Sequence, residues 1–124
     1  MWAYIVSHSS LLLRSEMTYS DQDNYSEDTA YNIDLEFFGV NYINIPTNLD
    51  ELAIKEITIE ELAIDILIDL LKYNMKIFEI ESKKKKYYII ASGLLIGKNK
   101  WEDQDRIFDY NSNLKHDEVV FQSN

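Results

Sequence analysis

Residues 32–46, Asn-Ile-Asp-Leu-Glu-Phe-Phe-Gly-Val-Asn-Tyr-Ile-Asn-Ile-Pro, alternate apolar and polar side chains with the two-residue period of a half-buried strand. Ile33, Leu35 and Phe37 share one face, and Asp34 and Glu36 share the other. Gly39 suits a turn and Asn41 to Ile45 form a second run. Pro46 lacks the N–H that a ladder needs, so it suits the end of that run. The stretch is predicted as a β-hairpin with its acids facing solvent.

Working outward, residues 2–6 and 11–17 read as two short strands joined by a turn at His8, Ser9 and Ser10. Residues 19–32 are polar and acidic without apolar periodicity, which predicts an exposed loop. Residues 52–57 fit a further strand or the lead-in to a helix. Thr58 and Glu61 have the spacing of a capping box, and the apolar pattern that follows predicts a helix over 59–73. Its polar side is narrow (Glu61, Asp65, Asp69, Lys72), so it needs cover on more than one side. Sheet curvature or a homodimer would supply that cover.

Residues 76–81, four lysines, and residues 87–96 read as strand, turn and strand, the last without polar alternation and therefore buried on both faces. Residues 101–110 are ambiguous between a short helix and irregular structure, and residues 119–121 fit a short edge strand. The predicted fold is one globular α+β domain over residues 1–124. It is a mostly antiparallel, twisted sheet of about five to seven strands with one main helix, about 59–73, packed on a face.

Composition narrows the function classes. Residues 1–62 carry two basic side chains, Arg14 and Lys55, against twelve acidic ones and sum to −10, whereas residues 63–124 carry ten of each. Such an acidic chain repels nucleic acid phosphates, so no nucleic-acid partner is expected. Absence of cysteine removes disulfides, thiolate nucleophiles and sulfur-ligated metals. The longest apolar run is about half of the roughly 20 residues that span a bilayer, and no basic leader opens the chain, so a cytoplasmic protein is expected with no membrane partner. Abundant Ile, Lys, Asn and Tyr match the bias of AT-rich coding and hint at a bacterial source.

Several constellations invite chemistry and fall short of it. Glu61, Asp65 and Asp69 line one helical face but lack the oxygens or imidazoles of a metal centre. Asp34 with Glu36, and Glu79 with Glu81, form same-face pairs roughly 7 Å apart, a spacing within the glycosidase range but ordinary for a solvated strand. The acids at Asp21 and Asp23, and those at Asp103, Asp105 and Asp109, lack a full calcium-loop pattern. His8 and His116 are separated by nearly the whole chain, with no nucleophile elbow to join them. Residues 83–86 read as a solvated hairpin tip that guards its neighbours against aggregation. No cofactor, metal or catalytic residue is expected.

What remains is a surface. Tyr19, Tyr25 and Tyr31 are interleaved with the acids of the loop, and tyrosine offers rigid amphipathic area for protein contact. The expectation is a small acidic binding protein that engages a basic partner, as an immunity protein or antitoxin neutralising a nuclease would, through Asp21, Asp23, Tyr25, Glu27, Asp28, Asp34 and Glu36. The alternatives are a small carboxylate-dependent hydrolase and a structural, homo-oligomeric scaffold subunit. A hydrolase requires one carboxylate among Asp34, Glu36, Glu79 and Glu81 to be buried with a raised pKa, whereas the binding reading has all four exposed.

Overall fold

The computed structural model describes residues 2–5, 9–17, 19–22, 25–27, 30–46, 49, 51–58, 75–102, 104–107 and 113–123. Among them lie nine strands and no α-helix: β1 (Trp2–Ile5), β2 (Ser10–Ser15), β3 (Asn32–Phe38), β4 (Tyr42–Asn44), β5 (Ala53–Ile57), β6 (Lys76–Ser82), β7 (Lys85–Ala91), β8 (Gly93–Asn99) and β9 (Glu118–Ser123). They form two sheets of order β1-β2-β3-β8-β9 and β4-β7-β6-β5. The α+β expectation is therefore corrected to a β architecture, and one sheet of five to seven strands to two sheets of five and four. The segment expected as a helix, 59–73, lies outside the described residues. Among the described residues no helix is long and apolar enough to cross a membrane.

The chain divides into two compact units, residues 1–38 with 94–124, and residues 39–93. In the first, Leu11 pairs with Phe37 and Leu13 with Leu35, so the apolar side chains of β2 and β3 fall on one face. All four are buried. The opposite face carries Leu12, Arg14, Asp34 and Glu36, also buried. At one side of this sheet β9 exposes Val119, Val120 and Phe121, each between 43% and 54%, and its pairing with β8 slips between Ile96 and Gly97.

In the second unit, Ile57, Ile77, Tyr88 and Ile90 form a buried cluster flanked by Tyr42 and Met75. β6 and β7 make a two-residue hairpin at Lys83 and Lys84, both with positive φ (52° and 65°). That backbone matches the twist of the flanking strands and normally favours Gly or Asn. Lys85 and Lys86 open β7, and all four lysines are exposed. The sheet's outer strands are β4, of three residues, and β5, which exposes Lys55 and Glu56.

Two further pairings differ from the sequence reading. β3 and β4 belong to different sheets, and the apolar run 87–96 is not one central strand but is divided at Ser92 between β7 and β8. Both breaks lie where Gly39 and Ser92 meet. Gly39 has φ +59°, its carbonyl accepts the Ser92 N–H at 3.3 Å, and a Cβ placed on it would overlap the Ser92 side chain. Gly39→Ala is expected to destabilise the protein by about 1–2 kcal/mol from the left-handed backbone alone. Urea unfolding would measure it, and no change would show that the turn relaxes.

Candidate functional site: a buried ionic network on the first sheet

The polar face of β2, β3 and β8 gathers most of the ionisable side chains that are buried among the described residues of the first unit. Arg14, in the run Ser10–Ser15, stands directly opposite Asp34 and grips it with two hydrogen bonds, Nε to Oδ1 at 2.6 Å and Nη2 to Oδ2 at 2.8 Å. Its Nη2 also donates to the Gln104 carbonyl at 2.8 Å. Burial by itself would disfavour the charge on Arg14, but its hydrogen bonds and ion pairing with Asp34, aided by Asp105 and Glu16, outweigh this and raise its hold on the proton.

Two residues along β3, Glu36 is completely buried and uses both oxygens. Arg106 Nη1 donates to Oε1 at 3.0 Å, and His116 Nε2 lies 2.8 Å from Oε2. Between the acids sits Asn99, whose Nδ2 donates to Asp34 Oδ2 at 2.9 Å and lies 3.2 Å from His116 Nδ1. Asn32 completes the set. Its Oδ1 accepts the Met17 N–H at 2.7 Å, and its Nδ2 donates to Asn99 Oδ1 at 2.8 Å and to the Trp101 carbonyl at 2.6 Å. The Trp101 N–H donates to Asn99 Oδ1 at 3.1 Å.

His116 occupies a fitted slot. Its side chain is 1% exposed, the Trp101 ring lies 4.8 Å away at a tilt of 31°, and the backbone of Gly97 forms the floor, where an added Cβ would overlap the imidazole. Nearby, Asp105 is buried and accepts the Ile107 N–H at 2.8 Å, a local turn contact that shapes the segment over this face.

The arrangement places the expected site residues in two classes. Asp34 and Glu36 are not on a solvent-facing strand surface; they are buried and paired with cations. Asp21, Tyr25 and Glu27 are exposed, and nearby the Gln22 N–H donates to Tyr19 O at 2.9 Å and the Tyr25 N–H to Gln22 O at 3.1 Å. Asp23, Asp28, Asp103, Asp109, His8 and the acids of 59–73 lie outside the described residues. Of the second carboxylate pair, Glu79 is buried with Lys55 and Lys86 each 3.8 Å away, and Glu81 is exposed. Since those lysines are well exposed, the two pairs contribute little to stability.

No family model, curated protein or solved structure matches the chain.

Asp34, Glu36 and His116 offer three ligand atoms within 4.8 Å of one another. They do not suit a metal as arranged. Both Asp34 oxygens face the Arg14 guanidinium, and both Glu36 oxygens have donors of their own. A cation placed there would displace or oppose two arginines. The same donors occupy the oxygens that a carboxylate pair would need for glycoside hydrolysis. Arg14, Asn32, Asn99 and Arg106 were not singled out from sequence as members of a site, and His116 was weighed only together with His8 and set aside. The available signal was Arg14 itself, a lone cation in an apolar strand of an acidic half.

Proposed function

We propose that this chain is a small acidic binding protein of the cytoplasm, which engages a basic protein partner through exposed carboxylates and tyrosines of the segment 19–27. The supporting observation is the contrast between two sets of acids. Asp34 and Glu36 are buried against Arg14, Arg106 and His116, whereas Asp21 and Glu27 are exposed and enter no ion pair among the described residues. Tyr19 and Tyr25 stand beside them at 47% and 42% exposure. Exposed negative charge next to aromatic area suits steering followed by docking.

A nuclease toxin is the kind of basic partner that fits, with the chain acting as its immunity protein or antitoxin. Asp21, Tyr25 and Glu27 carry this role rather than the buried β3 acids, which act as internal scaffolding. The burial of Asp34, Glu36 and Glu79 departs from the four exposed acids expected of a binding protein and meets part of what the hydrolase alternative requires, but both β3 acids have their oxygens taken up by Arg14, Asn99, Arg106 and His116.

The test is affinity capture from source lysate at low and high salt, followed by binding kinetics with the captured protein. Asp21→Lys combined with Glu27→Lys is expected to slow association about tenfold or more at low salt and to leave the circular dichroism spectrum unchanged. A captured partner indifferent to both salt and these reversals would refute the proposal.

A further inference from the structure

We propose that β9 is a docking edge for an extended segment of a cationic protein, which adds to the first sheet as a further strand. The edge is separate from segment 19–27 and shares with the proposed function only the sign of the partner's charge. β9 closes the order β1-β2-β3-β8-β9, so among the described residues no strand neighbours its outer side. A strand in that position offers a row of main-chain N–H and C=O groups to any extended chain that reaches it.

The side chains decide what kind of cover the edge takes. Phe121 stands opposite Ile96, and Val119 stands opposite Gly97. Ile96 and Gly97 are successive residues of β8 and lie on opposite faces of the sheet, so Phe121 and Val119 do too. The slip between these pairs leaves Val120 without a counterpart on β8. All three side chains are exposed, so apolar surface is open on both faces of the strand. A helix or second sheet laid on one face would leave the other in water. A strand added alongside sets its own side chains on both faces at once, beside Val119 on one and Phe121 on the other. The run Val119-Val120-Phe121-Gln122 also holds no charge and no proline to block such pairing.

Charge selects the occupant. The first unit carries thirteen acidic against five basic side chains and sums to −8, whereas the second carries nine against seven and sums to −2. β9 thus belongs to the strongly anionic part of the chain. A second copy offering the same edge would set −8 against −8, but a segment with lysine or arginine at its ends is drawn in. Glu118, at the start of the strand, is held only by Lys98 at 3.6 Å, and both side chains are well exposed. Such a pair is worth little, so a partner's cation can share Glu118 at small cost. The segment that fits is therefore extended, apolar at its centre and basic at its ends.

The probe is a capped peptide with valines at its centre and lysines at both ends, added at low salt to the nitrogen-15-labelled protein. Amides within Val119–Gln122 should gain about tenfold in exchange protection when the peptide saturates. A counterpart with glutamates in place of the lysines should bind at least about tenfold more weakly. N-methylation of the amides in the valine run removes donors but keeps charge and side chains, and it should also cost about tenfold or more. Val120→Lys, which plants a like charge on the edge, should weaken the lysine peptide by about tenfold. Should that variant not fold, the N-methylated peptide decides. Tyr19→Ser combined with Tyr25→Ser should leave the peptide's affinity unchanged, so failure of this edge and failure of the 19–27 surface are read separately. No binding at low salt, binding indifferent to N-methylation, or protection confined to 19–27 would overturn the proposal. Protection of β9 that grows with protein concentration alone would also overturn it, by assigning the edge to a second copy.

Discussion

Arg14→Met is expected to lower the stability of the first unit by about 3–5 kcal/mol. Asp34 is completely buried, and the guanidinium supplies two of its hydrogen bonds and, among the described residues, its directly bonded positive charge. Methionine fills much of the same volume but leaves a carboxylate in a low-dielectric setting with Asn99 as its one remaining donor among the described residues. The double substitution Arg14→Met with Asp34→Leu removes both charges and should recover a large part of the loss, because a buried ion pair adds little over well-packed apolar residues of similar size. Urea unfolding followed by tryptophan fluorescence suits the measurement, since Trp2 and Trp101 both belong to the first unit. A single substitution costing under about 1 kcal/mol would mean that water reaches Asp34 readily.

Gly97→Ala should be nearly as damaging, at about 2–4 kcal/mol, although it adds one methyl group. That methyl would lie within the His116 ring, which cannot retreat while Trp101, Glu36 and Asn99 hold its other sides. Either the ring leaves, stranding the hydrogen-bonding groups of Glu36 and Asn99, or β8 shifts. The effect should be strongly coupled to the imidazole. In a His116→Ala background the same glycine substitution should cost at least about 1 kcal/mol less, a difference that a double-mutant cycle reads directly. Additive effects would show that the glycine serves the backbone bulge opposite Val120 rather than the ring.

Individual strands were legible in the sequence and their partners were not. The runs Ser10–Ser15, Asn32–Phe38 and Lys76–Ser82 coincide with apolar alternation or apolar density, and the edge strand predicted at 119–121 falls within Glu118–Ser123. Local adjacency then misled. Runs on either side of Gly39 look like hairpin arms, yet they enter different sheets, and the unbroken apolar run through Ser92 hides a change of sheet. Alternation shows that Asp34 and Glu36 share a face but not whether that face meets water or counter-ions. The guanidinium groups, amide and imidazole that answer the question lie 20, 65, 70 and 80 residues away, at Arg14, Asn99, Arg106 and His116. No local window contains both partners of these contacts.

The outer strand β9 carries a lesson for handling the protein. β5 exposes Lys55 and Glu56, and β4 is only three residues long, whereas β9 shows Val119, Val120 and Phe121 to solvent with a single backbone irregularity to discourage pairing. At neutral pH, mutual repulsion between molecules of net charge −10 keeps such edges apart. Near the isoelectric point of about 4.5 that barrier vanishes. Colloidal shelf life is therefore governed by distance from that pH and by ionic strength, so dilute alkaline buffer is the natural storage medium.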